Sequence, residues 1–244
     1  MITIPSLKEL LAAGTHFGQK TSRWHPKMSP FLFGTSKGVH IINLEQTREK
    51  LVEAAEFVLN LSMRGGVVLF VGTKRQAQAA IEAAAKKSDM PFVTGRWIGG
   101  LFTNFGTVLE LLKKLEKLET EKESGAVTKY TKREQLEIER EISRLNETIG
   151  GIKKIRRLPD AIFVVDATID SIAIKEATRK GIPVIAIADS NANPAKVEYP
   201  IPGNDDAIKS IELLSNTIAE AVVEGRKRMP ATPAPEAASP VPAK

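Results

Sequence analysis

Three short apolar runs constrain the fold of this chain more than any other feature. They are Val67–Val71 (VVLFV), Ala161–Val165 (AIFVV) and Pro183–Ala188 (PVIAIA). A strand with one wet face alternates apolar and polar residues; these runs are apolar throughout, which predicts strands covered on both faces. Pro91–Val93 is a fourth, shorter candidate. Helical patterns lie around the runs. Glu45–Arg64 places Leu51, Ala54, Ala55, Val58 and Leu61 at helical spacing and stops at Gly65-Gly66. Arg75–Lys87 is alanine-rich, Ser171–Lys180 ends at Gly181, and Asp205–Arg226 carries Ile208, Ile211, Leu214, Ile218 and Val222 on one face. Strands alternating with helices of this length predict an α/β fold built on a parallel, doubly wound sheet.

Residues 107–149 break the alternation. Val108, Leu111, Leu115 and Leu118 form one narrow apolar seam, and Ile138, Ile142, Leu145 and Ile149 form another. A polar stretch from Lys122 to Thr131, containing Gly125, separates them. Two matching seams of similar length predict an inserted antiparallel coiled-coil hairpin. Nine Lys/Arg face ten Glu between Glu110 and Glu147, so the hairpin suits a solvated structural arm or a protein-docking arm equally. From residue 229 the chain alternates Pro with Ala and Ser, which predicts a disordered tail over 229–244. The expected division is therefore an α/β domain of residues 1–106 and 150–228, the hairpin of 107–149, and the tail.

The segment Gly14–Leu44 is of another kind. It is basic, glycine-rich and interleaved with Trp24, Phe31 and Phe33, with no long amphipathic period. Seven Lys/Arg stand against three Glu between Lys8 and Lys50, in a chain whose formal net charge is +6. Cations separated by rings and glycines suit RNA, whose phosphates take the charges and whose unpaired bases stack on the rings. A long surface arm around an ordinary domain fits the same residues. Composition removes other classes. No cysteine is present, so disulfides, thiolate metal sites and cysteine nucleophiles are excluded. No apolar run is long enough to span a membrane, and MITIPSLKELLAAG reads as a short helix capped by Ser6 rather than a signal peptide. A cytoplasmic location is expected.

Several local patterns invite chemistry. Gly72-Thr73-Lys74, between a strand and a helix, lacks the spacing of a phosphate-binding loop, so Lys74 and Arg75 are expected to touch RNA phosphate instead. Arg96, opening RWIGGLFTNF, is a further surface cation beside a corner anchored by Trp97 and Phe102. His16, His25 and His40 have no ligand partner three or four residues away, so no metal and no cofactor is expected. Asp166 and Asp189 each follow a buried strand, where such sheets bind ligands. Asp and Asn also fix turns by bonding nearby N–H groups, and that role is favoured here. Gly203-Asn204-Asp205-Asp206 reads as a turn plus the N-cap of the last helix.

Six pieces carry a family resemblance: GTHFGQKTSRWHPKMSPFLFGTSKGVHIINLEQT from Gly14, LFVGTKRQAQ from Leu69, RWIGGLFTNF from Arg96, GGIKKIRRLPDAIFVVD from Gly150, GIPVIAIADSNANP from Gly181 and YPIPGNDDAIKSIELLSNTIAEAV from Tyr199. Together they resemble the bacterial-type family of small ribosomal subunit protein two, in that family's order. The resemblance implies a Rossmann/flavodoxin-like domain with an inserted coiled-coil hairpin and no catalytic residues. It also implies contact with 16S rRNA between head and body of the 30S subunit, and partners among other small-subunit proteins, including the large mRNA-binding ribosomal protein one. Where the family commonly reads HFGH, this chain has His16-Phe17-Gly18-Gln19, which weakens any paired-histidine metal proposal.

The expectation is a non-enzymatic structural component of the small subunit, with no membrane or small-molecule substrate among its partners. Lys20, Arg23, Lys27, Lys37, Lys74, Arg75 and Arg96 are expected on phosphate, with His16, Trp24 and His25 against bases or sugars. One rival is a small doubly wound enzyme using Asp166 and Asp189 around a nucleotide or phosphosugar. Another is a protein-docking module acting through the hairpin.

Overall fold

The computed structural model describes residues 2–229, so the Pro/Ala tail expected over 229–244 lies almost wholly outside the described residues. In chain order the elements are α1 (Leu7–Ala12), β1 (Phe17–Lys20), β2 (Leu32–Ser36), β3 (Val39–Ile42), α2 (Leu44–Met63), β4 (Val68–Val71), α3 (Gln78–Ser88) and β5 (Phe92–Val93). They continue with α4 (Phe105–Glu123), α5 (Lys132–Ile149), β6 (Ala161–Val164), α6 (Ser171–Arg179), β7 (Val184–Ala188), β8 (Tyr199–Pro202) and α7 (Ile208–Lys227).

The three apolar runs form β4, β6 and β7, the middle of a five-stranded sheet ordered β5-β4-β6-β7-β8 in which every pairing is parallel. Their uniform apolarity follows from a core on each face. On one face Val68, Phe70, Phe163, Ile185 and Ile201 pack against α2, α3 and α7. On the other, Leu69, Val71, Ile162, Val164 and Ala186 pack with Ala173, Ile174 and Ala177 of α6 and with the base of α4 and α5. Alternate residues serve opposite cores, so no position is left for a polar side chain. The β8 strand escapes sequence reading because Pro200 and Pro202 remove two N–H donors; it lies at the sheet edge, where a strand has one neighbour.

The α4 and α5 helices run back along each other, with Lys114 Nζ 2.8 Å from Glu141 Oε1 and Lys122 Nζ 3.2 Å from Glu139 Oε1. Val108, Leu112 and Leu115 of one meet the core with Ile142, Leu145 and Ile149 of the other. Leu112 is buried where Leu111 was expected, because the base of the pair packs on the sheet domain as well as on itself. The capping box Thr131/Glu134 opens α5, the two side chains and backbone N–H groups satisfying each other. Among the described residues, no helix is long and apolar enough to cross a membrane.

The basic N-terminal segment holds strands that its sequence did not announce. Its β1, β2 and β3 form a second, antiparallel sheet ordered β1-β3-β2. The β2–β3 hairpin turns on Lys37 (φ 50°) and Gly38 (φ 77°), the pair of positive φ values that a two-residue turn matched to strand twist requires. Strands of four or five residues, interrupted by register shifts and, in β1 and β2, by glycine, are too short to show a period-2 signal in the sequence.

Close helix packing generates a prediction. In α7, a Cβ on Gly225 would lie 2.6 Å from the Leu59 carbonyl oxygen and 2.7 Å from Ser62 Cβ on α2. Alanine normally stabilises a helix relative to glycine. Here Gly225→Ala should instead destabilise by about 2 kcal/mol through overpacking. Gly106→Ala in α4, with nothing within 4 Å, should stabilise by a few tenths to about 1 kcal/mol. Urea unfolding of both variants checks the contrast.

Candidate functional site

The carboxyl ends of the parallel strands are where a doubly wound sheet offers a ligand crevice. In this chain the crevice is filled from within. Gly72 ends β4 so tightly against α3 that a Cβ there would sit 2.7 Å from Ile81. The turn then sends Lys74 across the strand ends. Its ammonium lies 2.6 Å from Asp205 Oδ1, 2.6 Å from Asp206 Oδ1 and 3.4 Å from Asp166 Oδ2, with the side chain only 11% exposed. Thr73 beside it donates from Oγ1 to Asp170 Oδ1 at 2.7 Å.

These groups shift one another. Burial alone would push Lys74 down, but its bonds to Asp205 and Asp206 outweigh burial and hold it above the ordinary lysine value. Burial, with the charges of Asp166 and Asp189 nearby, pushes Asp205 up to about 8 against the opposing pull of Lys74. Burial likewise raises Asp189. The proton that titrates there belongs to the carboxyl cluster as a unit, with Lys74 charged throughout. Asp189, Asp205 and Asp206 bring carboxylate oxygens within 4.8 Å of one another, a geometry that could hold a cation. Lys74 and the Gln19 amide, 2.6 Å from Asp206 Oδ2 and 3.3 Å from Asp189 Oδ2, take up those oxygens.

Two expectations are corrected at this point. Lys74 is committed to carboxylates and is not presented to solvent, so it leaves the set of cations open to phosphate. The N-cap of α7 is Ala207, not Asp205 or Asp206; Asn204 Oδ1 makes the turn by accepting from Asp206 N at 2.8 Å and Ala207 N at 3.1 Å. Asp166 and Asp189 hold turns: Asp166 Oδ1 accepts from Thr168 N and Ile169 N, and Asp189 Oδ1 accepts from Ser190 N and Gln19 N.

The same strand ends carry the N-terminal sheet. Gln19 N donates to Ser190 Oγ at 2.8 Å, His25 N to Ser190 O at 2.8 Å, and Asn204 N to Thr15 O at 3.1 Å. Gly18 permits the approach, since a Cβ there would meet Ser190 Oγ at 2.9 Å. Met28 is fully buried against Ala188 and Ala192. Outward from this attachment, Lys20, Arg23, Lys27 and Lys37 are exposed, and none has an ion pair among the described residues. Trp24 is 40% exposed and lies against His40 with ring centroids 5.2 Å apart. His16 is half-buried beside Phe17, and burial holds its pKa below the usual value, so it is neutral near pH 7. Arg75 and Arg96 are exposed on other loops.

Sequence reading missed Glu176. Its buried carboxylate accepts from Gly100 N at 2.8 Å, Phe102 N at 3.0 Å, Thr103 N at 3.3 Å and Trp97 Nε1 at 3.3 Å, fixing the loop that carries Arg96. Burial would raise its pKa, and these donors more than reverse that. No local signal marks a glutamate of α6 as the partner of a loop over seventy residues earlier. Lys175 and Lys196 were missed for the same reason; they reach one cavity with His25 only in the folded chain.

A sheet whose strand-end crevice is filled by its own lysine, with cations that have no ion pair among the described residues on the segment attached there, has the architecture of an α/β scaffold presenting a cationic surface. Comparison with known proteins makes that class specific. The family model described as Ribosomal protein S2 matches residues 10–225. The chain is 48% identical to the small ribosomal subunit protein uS2 of Acidothermus cellulolyticus, covering 92% of this chain and 82% of that one. It is 48% identical to uS2 of Mycobacterium leprae (92% and 81%) and 47% identical to uS2 of Pseudoalteromonas translucida (91% and 92%). This chain belongs to the ribosomal protein S2 family, whose members are structural proteins rather than enzymes.

The lysine cluster generates a prediction with a definite sign. A carboxyl whose pKa is raised by folding contributes stability that is lost as pH rises from its ordinary range toward about 8. Removing Lys74 enlarges that loss, because the carboxylates then lack their counter-charge. Lys74→Met should cost about 3 kcal/mol at pH 8 and clearly less at pH 5. Thermal unfolding at both pH values reads this; an equal loss at each would show that Lys74 acts by packing rather than charge.

Proposed function

We propose that this chain is a structural component of the small (30S) ribosomal subunit. It contacts 16S rRNA between head and body and supports docking of ribosomal protein one. The observation that carries the RNA part is that Lys20, Arg23, Lys27 and Lys37 are all exposed and none has an ion pair among the described residues. The family supplies the ribosomal setting. In this reading Arg75 and Arg96 extend the phosphate contacts, while His16, Trp24 and His25 pack on bases or sugars. Residues 107–149 act as the inserted coiled-coil hairpin, set in an α/β domain of residues 1–106 and 150–228. The near balance of charge on α4 and α5 suits a protein neighbour better than a phosphate backbone.

Sucrose-gradient sedimentation of tagged protein in lysate tests the reading. The wild-type chain should sediment with 30S particles and loosen as salt rises, because phosphate contacts release counterions. Lys20→Ala, Arg23→Ala and Lys27→Ala together should shift most of the protein to the top of the gradient at moderate salt. Unchanged incorporation of the triple variant would remove the site assignment. A wild-type chain remaining at the top at every salt would sink the ribosomal reading.

A further inference from the structure

Beside the filled crevice lies an open cavity of about 300 Å³ that the lysine cluster does not use. It sits beyond the ends of β6 and β7, against the first turns of α6, and His25 of the basic segment forms part of its wall. Its size is at the lower end for small-ligand sites. Its lining is one-sided in chemistry. Lys175 and Lys196 are in the lining and have no ion pair among the described residues, and no Asp or Glu is among the lining residues.

The other polar groups have the same character. His25 Nδ1 accepts from Lys27 N at 3.2 Å, which places the ring proton on Nε2 as a donor. Asn193 Oδ1 accepts from Ala195 N at 3.2 Å, leaving its amide NH₂ uncommitted. The Thr168 and Ser171 hydroxyls, also in the lining, have no partner among the described residues. Asp170, the N-cap of α6, gives its carboxylate to Thr73 and leaves the first-turn N–H groups without a side-chain cap. Asn191 is also in the lining, with its Oδ1 turned away from solvent and without a partner among the described residues. The remaining wall is apolar, from Ala167, Ile174 and Val197.

Uncommitted donors beside an uncapped helix start suit a phosphate. An apolar wall beside the Asn193 amide donor and the Thr168 and Ser171 hydroxyls suits the face and edge of a nucleobase. We propose that this cavity receives one unstacked nucleotide of a bound RNA. Its phosphate lies toward Lys175 and Lys196, and its base lies on the apolar wall within reach of Asn193, Thr168 and Ser171. The cavity is continuous with the cationic face through His25, so an RNA strand crossing Lys27 and Trp24 can turn a base into it. This inference rests on the RNA contact proposed above and adds a defined nucleotide site to it.

The test uses isotope-labelled full-length protein and amide chemical-shift mapping with four probes. These are a single-stranded RNA hexamer, the same hexamer with an abasic central residue, adenosine 5′-monophosphate and inorganic phosphate. The intact hexamer should shift Thr168, Ser171, Asn191 and Asn193 together with residues 20–27, and should bind at least tenfold more tightly than the abasic one. The monophosphate should shift the same four amides more weakly than the hexamer, and phosphate more weakly still. Lys175→Ala with Lys196→Ala should remove the cavity shifts and weaken hexamer binding about tenfold. Lys180→Ala with Lys209→Ala, which removes equal charge from exposed sites elsewhere, should do neither.

Shifts confined to residues 20–27 would overturn the cavity proposal and leave the RNA contact standing; no shifts at either place would overturn both. Equal binding of intact and abasic RNA, or of phosphate and monophosphate, would reduce the cavity to an anion site and overturn the nucleotide claim. Tighter binding of free monophosphate than of RNA would overturn the RNA source.

Discussion

The ammonium of Lys74 is the interaction on which the arrangement of this molecule depends. It gathers Asp166 from the end of β6 and Asp205 and Asp206 from the turn before α7, while its own residue leaves β4. Three separate parts of the chain are thereby held at one point. One of these acids, Asp206, also accepts from Gln19, as does the neighbouring Asp189, which fixes the first strand of the N-terminal sheet to the same place. In water such pairs are worth little, but here burial removes the competing solvent, and a missing member would leave unbalanced charge in a low-dielectric site. The cluster closes the crevice where a related architecture would admit a ligand, and the closure serves as the foundation for the cationic face. Structure replaces catalysis at the usual site, which is consistent with the family to which the chain belongs.

Much of the α/β framework was legible because its physics is local. VVLFV, AIFVV and PVIAIA can be nothing but strands with two dry faces, and the helices between them show their apolar stripes directly. The parts that were not legible depend on partners far away in sequence. The β8 strand hides behind two prolines, and β1–β3 hide behind bulges and polar strand residues. Lys74 resembled a phosphate ligand because nothing near it in sequence shows that Asp205 and Asp206 will arrive 131 and 132 positions later. Glu176 carries no mark in the sequence of a special role, and only the fold reveals that five donors reach it.

The candidate RNA-facing residues fall between these cases. Charge and aromatic content were readable as composition, and the structure gives them an orientation. Lys20, Arg23 and Lys27 lie on the segment that Gln19 and His25 pin to Ser190, so their spacing is set by backbone hydrogen bonds rather than by flexible loops. Preorganisation of this kind lowers the ordering cost of binding a strand. The cavity beside them was unreadable, because its two lysines come from α6 and from the turn after Asn193, with His25 more than 140 residues earlier.

The pinning of the first sheet also has a temporal consequence. Residues 15–25 dock on Asp189, Ser190, Asn204 and Asp206, so their supports are among the last parts of the domain to be synthesised. A chain emerging from its amino end cannot finish the cationic surface until most of its length is available, since contacts this distant must wait for loop closure. The half-made protein therefore carries its basic residues on an unorganised strand. The surface can be organised only once the segment from Asp189 to Asp206 is present to receive it.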